Sequence, residues 1–348
     1  MKYYYILLII LLFNFSISAQ ELVSPGLVKW YTLDQALKLS ETQPRPIMID
    51  VYTDWCSWCK FMMKTTFANP GIADYIQNNF YPVRFNAETF DTIDFKGKKY
   101  FNRKIGSRPS HDLASLLLDG QMSYPSLVFF DLSDNKAVIP GYKEPKDLEP
   151  ILVYFAENVN RTASLNDFYI NFMYSFPSAF AKDHSIFRVE DKLKPDTSAS
   201  INWIRPEMIS KLQKKNPRQI LLYFYTDWSI SSKVLDRTPF RDREIANKMN
   251  NTYYCIRINA ASNDTINFLG KDYYGNGNGL PNQLSYAYLN NNFQMPAIVI
   301  LDEKNTYKGM FNGFWAKGHL MQLLNYFYND SFRKMSFEEY LKSNKLMN

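Results

Sequence analysis

The sequence predicts an α/β protein built from two copies of one unit, each a central mixed sheet flanked by helices. Three observations lead to this prediction: strand-like and helix-like segments alternate, the same segments recur after 173 residues, and the length of 348 residues suits about two domains. A pair of cysteines in the first copy, Cys56 and Cys59, has no counterpart in the second. The two copies are therefore expected to share a framework and to differ in chemistry.

The repeat is visible when the sequence is aligned with itself at a shift of 173 residues. Trp30 then falls on Trp203, and Tyr52-Thr53-Asp54-Trp55 falls on Tyr225-Thr226-Asp227-Trp228. With small changes of register, the match continues through most of each half. The predicted organisation is a signal peptide at 1–19, a first domain at 20–176, a linker at 177–200 and a second domain at 201–348.

Each unit has the same predicted order of elements. In the first unit, the apolar spacing and turn residues predict a helix over Leu33–Leu39, a strand Ile47–Tyr52, a helix from about Cys59, a short helix near Ile72–Asn78, a strand Tyr81–Phe85, a strand Leu127–Asp131 and a helix Pro145–Asn158. A last helix is expected from Ser164, and its partner from Ser336, because serine is a preferred N-cap residue. The alternation implies that the first two strands are parallel, whereas the later strands suit an antiparallel hairpin.

The N-terminal segment has the pattern of a secretory signal peptide. Lys2 precedes an apolar run, Ile6–Phe13, and small residues follow as far as Ala19. The run is shorter than the roughly 20 apolar residues of a membrane-spanning helix. We therefore expect cleavage near Ala19 and a periplasmic or secreted protein with no stable membrane insertion. A retained anchor is the alternative.

The cysteine pair stands where a predicted strand turns into a predicted helix. The thiolate is the nucleophile in disulfide exchange, so the thiol pKa must fall from about 8.5, and the free amides at a helix N-terminus favour the anion. Cys56 is placed to attack, while Cys59 can close an intramolecular disulfide and release a partner. Export permits disulfides, but three cysteines are too few for a structural framework. The spacing therefore predicts thiol–disulfide exchange.

The segment from Pro46 to Lys60, with its run Asp-Trp-Cys-Ser-Trp-Cys-Lys, resembles the active-site segment of the thioredoxin superfamily. It is most similar to exported members that resemble the C-terminal domain of the periplasmic membrane disulfide reductase. The resemblance covers both repeats and implies two tandem thioredoxin-like folds. It also implies an oxidoreductase that acts on protein thiols and disulfides with an external redox partner protein. No histidine lies between the cysteines, so analogy favours a reducing or isomerising direction.

The resemblance implies roles for further residues. Asp50, within an apolar strand, matches the buried carboxylate of thioredoxins, whose raised pKa lets it take and return the proton of Cys59. A solvated strand aspartate is the alternative. Pro125 matches the cis-proline of the family, which packs beside the sulfurs while the adjacent backbone pairs with substrate. Trp58 is either a lid that shapes partner choice or a surface aromatic. The candidate substrate-binding residues are Trp55, Trp58, Tyr124 and Pro125.

The second copy keeps the framework and loses this chemistry. Ser229 and Ser232 replace the cysteines, Tyr223 replaces Asp50, and Pro296 is kept. This predicts a thioredoxin fold without redox activity that supplies recognition or structure. No histidine is placed to activate Ser229 as a nucleophile. An alternative function is a non-catalytic module in which the tandem grooves bind peptides or proteins and the cysteine pair is a redox-regulated clamp.

Other chemistries have less support. A zinc site needs about four ligands, and the chain has no second Cys-x-x-Cys, so we expect no metal and no cofactor. Haem attachment needs a histidine where Lys60 stands. His111 is expected to begin a helix, and Cys255, in the apolar strand Tyr253–Ile258, to be a buried and inert thiol. The net charge of +6 comes from scattered basic residues, which gives no support for nucleic-acid binding.

Overall fold

The computed structural model describes residues 27–176 and 197–344. The predicted signal peptide, most of the predicted linker and residues 345–348 lie outside these ranges. The elements of the first domain are α1 (Leu33–Thr42), β1 (Ile47–Tyr52), α2 (Ser57–Thr65), α3 (Pro70–Asn79), β2 (Tyr81–Asn86), β3 (Ile93–Phe95), β4 (Lys98–Tyr100), α4 (Asp112–Leu117), β5 (Ser126–Phe130), β6 (Lys136–Pro140), α5 (Pro145–Ala156) and α6 (Leu165–Ser175).

A four-stranded sheet in the order β2-β1-β5-β6 forms the centre of the first domain. β1 runs parallel to β2, with Ile47 opposite Tyr81, and antiparallel to β5. β5 and β6 form an antiparallel hairpin. The parallel pair and the later hairpin are the arrangement that the alternation of segments predicts. β3 and β4 form a separate small hairpin that no sequence signal predicted.

The side chains of β1 alternate between the two faces of this sheet, and each face is covered by different helices. Ile47, Ile49 and Val51 lie in a core with residues of α1 and α4. Met48 lies in the core formed with α2, α3 and α5. Asp50 shares the face of Met48, so its carboxylate is buried in the layer that contains the cysteine helix α2.

The second domain repeats this architecture, with a sheet in the order β12-β11-β7-β8 and a parallel β7–β8 pair. Both predicted folds are therefore present, each a mixed sheet flanked by helices. The elements of the second domain are α7 (Ile209–Lys215), β7 (Gln219–Tyr225), α8 (Ile230–Arg237), α9 (Arg243–Thr252), β8 (Tyr253–Asn259), β9 (Ile266–Phe268), β10 (Lys271–Tyr273), α10 (Gln283–Leu289), β11 (Ala297–Leu301), β12 (Tyr307–Asn312), α11 (Lys317–Tyr328) and α12 (Phe337–Ser343).

The two domains pack through a shared apolar core that includes residues of α5, α6 and α8. Phe168 of α6 meets Phe314 edge to face, with ring centres 5.2 Å apart. Arg237 of α8 donates a hydrogen bond to the Ser175 carbonyl at 2.9 Å and lies over the Phe176 ring. Because the apolar contacts continue from one domain core into the other, the domains form one packed unit.

Most predicted element boundaries agree with the structure within two residues. Ser164 and Ser336 cap α6 and α12, each accepting a hydrogen bond from the amide three residues later. His111 caps α4 through its Nδ1, which confirms its predicted role at the helix start. α2 begins at Ser57, two residues before its predicted start near Cys59. In the described ranges, no helix is long and apolar enough to cross a membrane.

Candidate redox site

The cysteine pair lies at the start of α2, directly after β1. Cys56 is the N-cap residue, with extended backbone, and its Sγ accepts a hydrogen bond from the Cys59 amide at 3.1 Å. The sulfur thus caps an amide that would otherwise be free, which is why α2 begins at Ser57 and not near Cys59 as predicted. Cys56 and Cys59 form a disulfide. The first sulfur therefore sits where a helix N-terminus stabilises a thiolate.

Two groups of exposed aromatic side chains adjoin the cysteines. In the first, Trp55 is 49% exposed and packs edge to face on Tyr124, with ring centres 6.1 Å apart. The Trp55 indole Nε1 donates a hydrogen bond to Glu88 at 2.9 Å, and the Arg108 guanidinium lies 4.4 Å from the Trp55 ring. These contacts hold Trp55 in place next to Cys56 although the ring faces solvent.

The second group consists of Trp58, Phe61 and Tyr142, whose ring centres lie between 5.3 and 5.8 Å apart. Trp58 is 58% exposed, whereas Cys56 is 4% exposed. Exposed aromatic side chains thus lie next to a buried sulfur. Trp58 is thus a surface aromatic that packs against its neighbours, and its role as a lid stays a prediction.

Asp50 is buried in the layer of α2, as predicted, with only 2% of the residue exposed. Its Oδ2 accepts a hydrogen bond from the Arg84 Nε at 3.4 Å, and within the described residues no hydrogen bond reaches its Oδ1. Burial raises the pKa of Asp50 to about 6, and the positive charge of Arg84 offsets part of this rise. The carboxyl group can therefore gain or lose a proton close to neutral pH.

The second domain indicates where a side chain at this strand position points. Tyr223, the counterpart of Asp50, donates its hydroxyl to the Ser232 carbonyl at 3.1 Å. Ser232 is in turn the counterpart of Cys59. The Tyr223 side chain therefore reaches the residue that corresponds to Cys59, and Asp50 occupies the same strand position in the first domain.

The peptide bond between Tyr124 and Pro125 is cis, which confirms the prediction made from the family resemblance. Pro125 directly precedes β5, the neighbour of β1, and its carbonyl accepts a hydrogen bond from the Gly141 amide at 2.8 Å. Within the described residues, neither the amide nor the carbonyl of Tyr124 takes part in a backbone hydrogen bond. This backbone is available to pair with an extended partner chain.

Several residues at the site were not singled out from the sequence. Arg84 could have been identified from the sequence, because Arg257 occupies the same position of the repeat. The others reach the cysteines only through the tertiary path of the chain, so no spacing rule identifies them. They are Phe61, Glu88, Arg108 and Tyr142.

The second domain has the same framework around its serines. Ser229 is the N-cap residue of α8, and its hydroxyl accepts a hydrogen bond from the Ser232 amide at 3.1 Å. The peptide bond before Pro296 is also cis. A partly buried acid is present here too, but on the helix: Asp236 pairs with Arg257, and burial raises the pKa of Asp236 to about 6. Without sulfur atoms, this position cannot perform disulfide exchange.

Cys255 is buried, and burial raises the pKa of its thiol to about 12. It is therefore a thiol rather than a reactive thiolate at neutral pH, as predicted. Among the residues that the structure describes, no group of three or more His, Cys, Asp or Glu side chains is placed to hold a metal ion. The chemistry available at the site is thiol–disulfide exchange at the Cys56–Cys59 pair.

Residues 33–156 match the family model of the thioredoxin-like domain. No curated protein matches the sequence. Solved structures similar to the chain include a thioredoxin from Thermus thermophilus (17% identity, TM-score 0.28, covering 36% of this chain and 84% of the other), the oxidised C-terminal domain of DsbD from Neisseria meningitidis (18%, 0.25, 37% and 99%) and the first two thioredoxin domains of Eps1p from Saccharomyces cerevisiae (12%, 0.27, 88% and 98%).

The assignment rests on the family match in the first domain and on the fold that the second domain repeats. The first domain combines a cysteine pair at a helix N-terminus with a cis-proline at the start of the neighbouring strand. The second domain has the same strand order without the cysteine pair. The first domain therefore matches the thioredoxin-like domain family, and the second domain repeats its fold in tandem without the cysteine pair.

Proposed function

We propose that the protein is an exported thiol–disulfide oxidoreductase that acts on protein disulfides through Cys56 and Cys59. The observation that carries this proposal is the position of the pair, with the Cys59 amide donating to the Cys56 sulfur at the N-terminus of α2. The match to the thioredoxin-like domain family supports it. The buried acid at Asp50 and the available backbone at Tyr124 provide further support.

The proposed reaction starts from the reduced pair. The Cys56 thiolate attacks one sulfur of a partner disulfide, which forms a mixed disulfide and releases the other partner sulfur as a thiolate that takes a proton from water. Cys59 then passes its proton to Asp50, and the resulting thiolate attacks the Cys56 sulfur. The Cys56–Cys59 disulfide forms, the second partner sulfur leaves, and two electrons have moved from the protein to the partner.

The direction and location belong to the same proposal. An external dithiol protein would reduce the Cys56–Cys59 disulfide again by the same exchange in reverse. We place the protein on the reducing or isomerising side, because no histidine lies between the cysteines. The export assignment rests on the signal-peptide pattern of residues 1–19. A measured reduction potential near about −270 mV supports a reductase, and one near about −120 mV an oxidant.

Catalysed reduction of a protein disulfide, with dithiothreitol as the electron donor, tests the proposal. Cys56→Ser should reduce turnover to the uncatalysed rate, because the nucleophile is removed. Cys255→Ser is the matched control: it also removes one cysteine, but a buried one outside the site, and should leave turnover unchanged. Wild-type turnover by the Cys56→Ser protein would exclude the proposed reaction.

The second candidate function is a binding module with a redox-regulated clamp. The exposed aromatic groups around Trp55 and Trp58 favour it, because exposed apolar side chains mark binding surfaces. In that case the wild-type protein lacks turnover, while its affinity for a peptide depends on the redox state of the cysteines. Because the two domains share a core, cysteine variants separate the two functions more cleanly than deletion of the second domain.

A further inference from the structure

The serine site of the second domain is occupied by a residue of the first. Glu157, directly after α5, places its carboxylate on the N-terminus of α8. Its Oε1 accepts a hydrogen bond from the Ile230 amide at 2.8 Å, and its Oε2 accepts one from the Ser231 amide at 2.8 Å. The hydroxyl of Ser229 donates to Oε2 at 3.0 Å, and the hydroxyl of Ser231 donates to it as well.

The two backbone amides among these donors have counterparts in the first domain. The amides of Ile230 and Ser231 correspond to those of Ser57 and Trp58. Within the described residues, the Ser57 and Trp58 amides donate no backbone hydrogen bond. A helix N-terminus attracts an anion, because its first amides lack partners inside the helix. In the second domain, this attraction is satisfied by the Glu157 carboxylate.

The backbone around Glu157 also contacts the second domain next to its cis-proline. The side-chain amide of Gln294 donates to the Glu157 carbonyl at 3.2 Å, one residue before the Met295–Pro296 bond. The Thr162 hydroxyl donates to the Phe314 carbonyl. Gly313 allows this approach, because a Cβ at that position would lie 3.1 Å from the Thr162 hydroxyl oxygen. Glu157 and Thr162 thus both contact the second domain.

The repeat shows that this arrangement is specific to one half of the molecule. The counterpart of Glu157 in the second domain is Asn329, which is exposed. The counterparts of Ser229 and Ser232 in the first domain are the cysteines. Of the two halves, only the first has an acid at this position, and only the second has serines in place of the cysteines. The contact between Glu157 and the serines can therefore form only in this one combination.

Ser229, Ile230 and Ser231 at the start of α8 form what we call the serine face of the second domain. We propose that this face is an interaction surface for the first domain, with Glu157 as its bound carboxylate ligand. Protein partners are thereby excluded from that face and reach the molecule through the cysteine face alone. The second domain then positions the first domain instead of recruiting partners through its own groove. The sequence left recognition and structure open as roles of the second domain, and this proposal selects structure, whatever the direction of the redox reaction.

The hydrogen bonds to Glu157 compensate for the burial of its carboxylate. Burial of a carboxylate is costly, and burial raises the pKa of Glu157, while the hydrogen bonds from Ser231, Ile230 and Ser229 lower it. Four donors and the positive end of the α8 dipole offset the cost of burial. A cavity of about 470 Å³ beside the carboxylate, bordered by Trp228, can admit a small reagent to the site but not a folded protein.

A reporter thiol tests whether Glu157 occupies the site. Ser229→Cys is introduced into the full chain together with Cys56→Ser and Cys59→Ser, and alkylation of the new thiol by iodoacetamide is followed. We expect the further change Glu157→Ala to accelerate alkylation about tenfold or more, because the thiolate gains the helix amides and loses a neighbouring negative charge. Asn329→Ala, the matched change in the other half, should leave the rate unchanged. Equal rates with and without Glu157 would overturn the proposal.

A double-mutant cycle provides a second test that uses milder substitutions. Glu157→Gln and Ser231→Ala are measured singly and together by urea unfolding of the otherwise wild-type chain. We expect a coupling of about tenfold in the unfolding equilibrium constant, which corresponds to about 1.4 kcal/mol. Strictly additive effects would overturn the proposal. The reporter-thiol test needs no redox activity, and the variants of the double-mutant cycle keep Cys56 and Cys59, so turnover is a separate readout there. Failure of the proposed enzymatic function is therefore distinguishable from failure of this inference.

Discussion

Replacing Asp50 with asparagine should make the protein more stable at neutral pH and slower in catalysis. Asparagine has nearly the same shape as aspartate but carries no charge. The buried carboxylate is unfavourable when ionised, so its removal benefits folding. The same change removes the group that we propose accepts the proton of Cys59, and loss of a positioned general base costs about 100-fold or more in rate. Stability and activity should therefore change in opposite directions.

The size of the stability change follows from the pKa of Asp50. Burial raises it from 3.8 to about 6, and one pKa unit corresponds to about 1.36 kcal/mol, so ionisation lowers the free energy of unfolding by about 3 kcal/mol at pH 7. Because the folded-state pKa is the higher one, the native protein binds more protons than the unfolded chain between 3.8 and about 6. Stability falls as the pH rises through this window and is constant above it.

Urea unfolding of the wild type and of Asp50→Asn at about pH 4 and at pH 7 measures this effect. The two proteins should differ little at the lower pH, where Asp50 is largely protonated, and by about 3 kcal/mol at pH 7, with the variant more stable. Asp54→Asn is the control, because Asp54 is exposed and bonded to the Asn86 side chain at 2.9 Å. A variant that is less stable at pH 7, or a difference that is the same at both pH values, would refute the reasoning.

Three further predictions concern residues around the two sites. Arg84→Met removes the charge that lowers the pKa of Asp50, so the pH profile of turnover should shift to higher pH, and an unchanged profile would contradict this. Trp58 is exposed beside the cysteines, so Trp58→Ala should raise KM for a protein disulfide but not for a small-molecule disulfide. Equal effects on both substrates would exclude a role of Trp58 in partner binding. Asp236→Asn should raise the free energy of unfolding at pH 7, since burial raises the pKa of Asp236 to about 6, and should leave turnover at Cys56 unchanged; a loss of stability in urea unfolding would contradict this.

Local signals were enough to predict the strand β1 and the cysteine pair. The apolar run Ile47–Tyr52 ends shortly before Cys56, and the repeat has a matching apolar run before Ser229. The start of α2 was predicted two residues late, because cysteine is not among the usual N-cap residues. Only the structure shows that the Cys56 sulfur accepts a hydrogen bond from the Cys59 amide. Sequence periodicity locates elements, but it does not show which side chain caps them.

The contact between Glu157 and α8 could not be predicted in this way. The acid and the Ser229 hydroxyl are 72 residues apart in the sequence, and their meeting depends on how α5 and α6 pack against the second domain. No periodicity or motif encodes that packing. The repeat does differ at this position, because Asn329 is the counterpart of Glu157. That difference points to the contact with α8 only once the two domains are seen packed together.

The most direct measurement of the proposed chemistry is the mixed disulfide that Cys59→Ser should trap. With the resolving cysteine removed, the reduced variant is mixed with a protein disulfide, digested and analysed by mass spectrometry. The mechanism predicts a covalent link between a partner cysteine and Cys56, with no such link at the buried Cys255. The absence of an adduct at Cys56, or an equal amount at Cys255, would contradict the assignment of Cys56 as the attacking thiol.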